Sequence, residues 1–142
     1  MPSEKPYNEG NANFAPTIRR LYDAFSNSRE SINADLFAPE FSWQTADDNP
    51  ASVRSGAGLE SFLSGMFWTK SEWEQVSFRV DQLLAGDRIS VQGYYSAIYR
   101  PTGKLLTAQM LHIWTVSHGQ ILAFQELTDT QEFHLVMNGV AA

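Results

Sequence analysis

His112, Glu126 and Asp129 are the side chains whose types and spacing suit acid–base chemistry in this sequence. They lie within residues 104–130, KLLTAQMLHIWTVSHGQILAFQELTDT, which read as two strands joined by a tight turn. The alternation predicts strands over 105–116 and 121–128, with Ser117-His118-Gly119-Gln120 between them and Gly119 able to take positive φ. Side chains alternate at period 2. Met110, His112 and Trp114 therefore share one face of the first strand, and Phe124, Glu126 and Thr128 share one face of the second. A carboxylate at an apolar wall is desolvated, which disfavours its charged form and raises its pKa. Such a group is a better general base for a proton α to a carbonyl. A histidine within reach can hold that carboxylate or polarise the carbonyl oxygen. Register decides whether the pair forms. A strict two-residue loop at His118-Gly119 sets His112 opposite Gln125, and Glu126 joins its face only through an odd loop count or a bulge. A plainer reading stands beside this one: His112 and Glu126 as hydrogen-bonded core residues, and Asp129 as the cap of a following helix.

The elements that must position these groups follow from hydrophobic spacing. Phe14, Ile18, Leu21, Tyr22 and Phe25 form one apolar stripe and predict a helix over 14–26, with Pro16 in its first turn. A second helix is predicted over 30–37, capped by Asn27 or Ser28 and ended by Pro39. Residues 41–45 read as a short strand, and Ala46-Asp47-Asp48-Asn49-Pro50 as a solvated turn without calcium-loop spacing. Leu59, Phe62, Leu63, Met66 and Phe67 predict a third helix. From Trp73 the period becomes 2, through Val76, Phe78 and Val80, a turn at Gly86-Asp87, and then Ile89 to Ala97. Pro101-Thr102-Gly103 turns into the organising hairpin, and 130–137 read as a short helical tail. Residues 1–12 read as a mobile arm, leaving one domain over 13–138. Helices first and strands later indicate an α+β fold: a curved antiparallel sheet wrapped around three N-terminal helices as a cone, with a natural small-molecule pocket inside.

Composition narrows the partners. The 142 residues suit one domain, and the aromatic share of 13% points to an aromatic-lined interior. A net charge of −6 without clustered Lys or Arg argues against nucleic acid or an anionic membrane as partner. There is no Cys, so thiolate chemistry, disulfides and Cys-based metal sites are excluded. No apolar leader and no run of 18 apolar residues is visible, and a cytoplasmic location fits.

Leu21-Tyr22-Asp23-Ala24-Phe25-Ser26-Asn27, Leu36-Phe37-Ala38-Pro39-Glu40-Phe41-Ser42-Trp43, Ser55-Gly56, Ala85-Gly86-Asp87-Arg88-Ile89, Thr102-Gly103-Lys104, His112-Ile113-Trp114-Thr115-Val116, Gly119-Gln120-Ile121 and Thr128-Asp129-Thr130 occur in an order and spacing that resemble the nuclear transport factor 2-like superfamily. Within it the chain is most similar to the SnoaL-like and ketosteroid-isomerase-related proteins. The resemblance spans residues 14 to 131 and implies the cone fold. The fold hosts isomerases, cyclases, dehydratases, epoxide hydrolases and binding modules. Steroid isomerases of this fold use an Asp base where Thr45 stands here, and an oxyanion pair at the places of Leu21 and Leu111. All three depart. SnoaL-type cyclases pair a His on the penultimate strand with a carboxylate on the last, and His112 and Glu126 match those positions, with Glu in place of Asp.

Three functions are weighed. The first is a cofactor-free isomerase or cyclase acting on a small hydrophobic carbonyl compound through His112, Glu126 and Asp129. Tyr22, Trp43, Met66, Trp68, Tyr95 and Trp114 would line its pocket, and no metal or organic cofactor is needed. The second is a non-catalytic module that binds a lipophilic ligand. The third is an epoxide hydrolase, which needs an Asp-Arg-Asp set and hence one of Arg79, Arg88 or Arg100 inside the cone. The resemblance also implies a homodimer through the open sheet face, where Tyr94, Ile98, Leu111 and Ile113 are apolar.

Overall fold

A computed structural model describes residues 9–27 and 31–139. The long first helix, α1 (Glu9–Asn27), buries the predicted stripe: Ile18, Leu21, Tyr22 and Phe25 all lie in the core. It starts earlier than its apolar spacing indicates, so residues 9–12 of the expected arm are helical, while 1–8 lie outside the described residues. The extra turns have a cause. The Asn11 amide donates to the carbonyls of Gly86 and Asp87 at 2.8 and 3.0 Å, tying the helix start to a strand turn. Pro16 consequently sits inside the helix, on its exposed side, rather than in the first turn.

Among the described residues, the predicted second helix is replaced by 3₁₀ structure that includes the turn Ala34–Leu36, where the Asn33 side chain accepts from the Asp35 N–H. Residues 28–30 lie outside the described residues. The chain then enters β1 (Phe37–Gln44), longer than predicted and followed by an unpredicted short strand, β2 (Ser55–Ala57). Pro39, unable to donate to a ladder, falls where the pairing of β1 is irregular, between Phe37 and Ser42. α2 (Leu59–Gly65) is shorter than its stripe, and Phe67 and Trp68 are delivered to the core by a second 3₁₀ turn, Phe67–Thr69. Gly56 and Gly65 clasp the Trp43 indole: a Cβ at either would come within 2.6 Å of the ring.

The meander is as predicted: β3 (Trp73–Ala85), β4 (Ile89–Tyr99), β5 (Lys104–Ser117) and β6 (Gln120–Thr128), followed by α3 (Thr130–Met137). The six strands form one sheet in the order β2-β1-β6-β5-β4-β3. It is mixed rather than wholly antiparallel, because β1 runs parallel to β6. Three one-residue register shifts bend it. Two lie in the β3–β4 ladder, between Glu74 and Ser77 and between Val80 and Gln82; one lies in the β5–β6 ladder, between Thr115 and Val116. The inner face carries the predicted alternation: Ile89, Val91, Gly93, Tyr95 and Ala97 on β4, and Leu106, Ala108, Met110, His112 and Trp114 on β5. Among the described residues, no helix is long and apolar enough to cross a membrane.

Candidate functional site: a buried chain of hydrogen bonds

The turn between β5 and β6 has two residues, His118 (φ 53°) and Gly119 (φ 75°), both in the left-handed region that a tight hairpin needs. Ser117 pairs with Gln120 and Val116 with Ile121, but Thr115 pairs with Ala123. Leu122 is thus an extra residue on β6. Burial on β6 shows the phase change: Ile121 is buried before it, and Phe124 and Glu126 after it. This bulge sets Glu126, not Gln125, opposite His112.

His112 is fully buried and Glu126 is 1% exposed. They are linked through Tyr95. The Tyr95 hydroxyl lies 2.5 Å from His112 Nε2 and donates to Glu126 Oε2 at 2.5 Å. On the other side of the imidazole, the Tyr22 hydroxyl lies 2.7 Å from Nδ1 and accepts from Trp114 Nε1 at 2.9 Å. With Glu126 ionised, the ends fix every proton between them. The indole N–H only donates and a carboxylate only accepts. Tyr95 has one proton, which goes to Glu126, so it accepts from His112 Nε2–H. Nδ1 is then an acceptor, and Tyr22 donates to it. The chain therefore runs Trp114 to Tyr22 to His112 to Tyr95 to Glu126, with neutral imidazole in its Nε2–H tautomer.

The surroundings enforce that charge state. Rings of Tyr22, Trp68, Tyr95 and Phe124 pack about His112 with centroids 5.7, 6.1, 5.5 and 4.9 Å away. Burial lowers the His112 pKa to about 3. Burial raises that of Glu126, opposed by hydrogen bonds from Tyr95, the Ala46 N–H and the Asn49 amide. Tyr95 is held far above the usual phenol range, first by burial and then by the Glu126 charge. A carboxylate that resists ionisation, joined through a phenol to an imidazole that resists protonation, is a suitable pair for accepting and returning one proton.

Asp129 is not part of this assembly. It is exposed, and its backbone N–H donates to the Gln109 carbonyl. It holds the N-cap position of α3 without a side-chain capping bond. The expected lining residues divide. Tyr22, Tyr95, Trp68 and Trp114 surround the chain, whereas Trp43 donates to Ser61 between the two glycines and Met66 sits at the end of α2. All six are buried, so a ligand at the chain requires the covering rings to part. Open depressions lie elsewhere. Two on the outer sheet face, of about 700 and 730 Å³, and one of about 590 Å³ beside α1 all lack His112 and Glu126. Arg79, Arg88 and Arg100 are all exposed, with Arg79 paired to Asp81 and Arg100 to Glu74, so none supplies the guanidinium of an epoxide hydrolase inside the cone. Among the described residues, no group of three or more His, Asp or Glu side chains is placed to hold a metal ion.

The family model for the SnoaL-like domain matches residues 18–124. The chain is a member of the SnoaL-like domain family. Solved structures agree on the fold. A nuclear transport factor 2-like protein from Burkholderia thailandensis superposes with a TM-score of 0.74 at 27% identity, over 85% of this chain and 95% of its own. Bal32a, from a soil-derived mobile gene cassette, gives 0.77 at 19% identity, over 90% and 98%. A Jannaschia protein provisionally assigned as a SnoaL-like polyketide cyclase gives 0.71 at 16% identity, over 96% of each chain. No curated protein matches the chain.

In this SnoaL-like protein two further groups belong to the site, the Ala46 N–H and the Asn49 amide, neither of which the sequence marks as a candidate. Both belong to the stretch whose composition predicts a solvated turn. The Asp47 and Asp48 side chains do face solvent, but Asn49 is 7% exposed and reaches Glu126. Turn composition alone carries no signal for which of its polar residues points inward.

Proposed function

We propose that this SnoaL-like protein receives a small hydrophobic, carbonyl-bearing molecule at the inner end of its cone and moves a proton on it without a cofactor, as an isomerase or cyclase does. The carrying observation is the unbroken chain from Trp114 to Glu126. Glu126 Oε2 takes the proton α to the carbonyl, and the C–H electron pair moves into a carbon–carbon double bond while the carbonyl π pair moves to oxygen. Protonation of Glu126 frees the Tyr95 hydroxyl to turn its proton to that enolate oxygen as a hydrogen-bond donor. His112 Nε2–H, held in one tautomer by Tyr22, keeps the Tyr95 oxygen in place. Return of the proton to another carbon completes an isomerisation; attack of the enolate carbon on a second carbonyl of the same molecule, whose π pair moves to its oxygen and takes the proton back from Glu126, completes a cyclisation.

The test uses small cyclic and aryl ketones as probes in D₂O. Wild-type protein should speed deuterium entry at the α carbon, and Glu126→Gln should lose about 10²-fold or more of that effect. Equal exchange by both proteins would sink the assignment. A second reading, a non-catalytic binding module, draws on one fact: the chain already satisfies its own donors and acceptors. Ketone-dependent shifts of the buried tryptophan emission without any deuterium entry would favour it.

The assembly in this proposal is a cytoplasmic homodimer joined through the outer sheet face. Asp81 and Asp129 line one depression of that face, and Arg54 and Arg88 line the other. Two-fold packing would set the acidic half of one copy on the basic half of its partner. Leu127, 45% exposed beside the acidic half, adds apolar area. A monomer by sedimentation at micromolar concentration would remove the dimer from the proposal.

A further inference from the structure

We propose that Asn49 is a positioning residue: its amide, clamped by the backbone of its own turn, holds Glu126 Oε1 so that Oε2 stays on the Tyr95 hydroxyl. The inference rests on the reading of Glu126 as the group that accepts the proton.

The geometry is specific at each atom. Asn49 Oδ1 accepts from the Ala51 N–H at 2.9 Å, and Nδ2 donates to Glu126 Oε1 at 3.3 Å. The Ala51 donor settles which end of the amide faces the carboxylate, because a flipped amide would set two N–H donors against each other. Ala46 N–H supplies a second donor to the same oxygen, also at 3.3 Å. One carboxylate oxygen thus belongs to the turn and the other to Tyr95.

The turn is itself fastened on three sides. Thr45 bonds across its base, N–H and Oγ1 to the Arg54 carbonyl at 2.8 and 3.1 Å, and Oγ1 also to the Val53 carbonyl at 2.8 Å. Ser52 Oγ accepts from the Phe67 N–H, and the Val53 N–H donates to the Gly65 carbonyl, both at 2.8 Å. His134 Nε2 on α3 lies 3.1 Å from the Asp48 carbonyl and 3.2 Å from its carboxylate. A residue clamped in a fastened turn transmits that rigidity to the group it holds. Besides the two donors, the titratable groups about Glu126 are Tyr95 and, farther along the chain, Tyr22 and His112.

A plain turn-stabilising role is separated by the choice of variant. Asn49→Ser keeps a short oxygen for the Ala51 N–H but cannot reach Glu126; Asn49→Ala loses both bonds. The readout is the protonation midpoint of the Glu126 carboxyl, followed by carboxyl-carbon NMR in wild type and in both variants. Two to three donors pull a carboxylate down by about two pH units, so the loss of one should raise the midpoint on the order of half a unit to one. Both variants should show the rise, with melting temperature falling mainly in Asn49→Ala. A midpoint unchanged in Asn49→Ser overturns the proposal, and that variant carries the test alone if Asn49→Ala does not fold. Because no turnover is measured, a raised midpoint together with absent ketone exchange would fail the catalytic reading and leave the positioning role standing.

Discussion

His112 and Glu126 face each other across β5 and β6, yet each bonds to the Tyr95 hydroxyl, which lies 2.5 Å from both. The separation has a chemical consequence. A direct imidazole–carboxylate bond would favour an imidazolium paired with a carboxylate. With a phenol between them and aromatic rings around them, the imidazole stays neutral and the carboxylate is held towards its neutral form. One proton then changes the state of the whole chain.

Tyr95→Phe removes the shared hydroxyl and leaves two buried partners unmet, His112 Nε2 and Glu126 Oε2. Each orphaned group costs about 1–3 kcal/mol. Tyr22→Phe likewise orphans Trp114 Nε1 and His112 Nδ1 but does not touch Glu126. Urea titration should show both variants destabilised, and only Tyr95→Phe should move the Glu126 midpoint. A Tyr95→Phe protein as stable as wild type would contradict the chain as drawn.

Stability should depend on pH through two opposed contributions. The folded His112 value of about 3 lies below its ordinary 6.5. Between those values the unfolded chain takes a proton that the folded chain refuses, so stability falls as pH drops from 6.5 towards 3, by up to about 1.4 kcal/mol per pH unit. Glu126 acts in the other direction. Its folded value lies above the ordinary 4.5, so the folded chain keeps a proton that the unfolded chain has released, and stability falls as pH rises through that window. Glu126→Gln removes the second contribution. Denaturation across a pH series should therefore show the variant gaining on wild type as pH rises above 4.5, the ordinary glutamate value. A gain that grows towards acid pH would reverse the sign and contradict a buried, reluctant carboxylate.

Gly93→Ala tests how the sheet bends over the site. A Cβ there would lie 1.7 Å from the Arg79 carbonyl oxygen, beside the β3 register shift. Backbone must move to admit it, at a cost of about 2 kcal/mol or more. Its midpoint in urea should fall accordingly, whereas Gly86→Ala, with only one atom within 4 Å at 3.9 Å, should be nearly neutral. Equal effects would show that β3 does not press on β4 as described.

The fold was largely legible because the meander writes itself in period 2 and α1 in one apolar stripe. Besides the lost second helix, the added β2 and the parallel β1–β6 pairing, three features about the core and the site were not. Leu122 resembles any strand residue, so only the pairing of Thr115 with Ala123 reveals the bulge that brings Glu126 inward. The stripe of α2 runs past the end of its helix, because Met66 turns to extended backbone while still burying its side chain. Asn49 reads as a turn residue because its partner lies 77 positions away in sequence. Tyr22 and Tyr95 were legible as aromatic lining, but their hydroxyls acquire roles only once α1, β4 and β5 converge on His112.

The single direction of the chain is the claim on which the rest depends, and ¹⁵N NMR of the His112 ring measures it. While Glu126 is ionised, the chain predicts an imidazole protonated at Nε2 and unprotonated at Nδ1, and the ring stays neutral from pH 8 down to about 5, well above its folded value of about 3. A ring charged at neutral pH, or neutral with its proton on Nδ1, would contradict it.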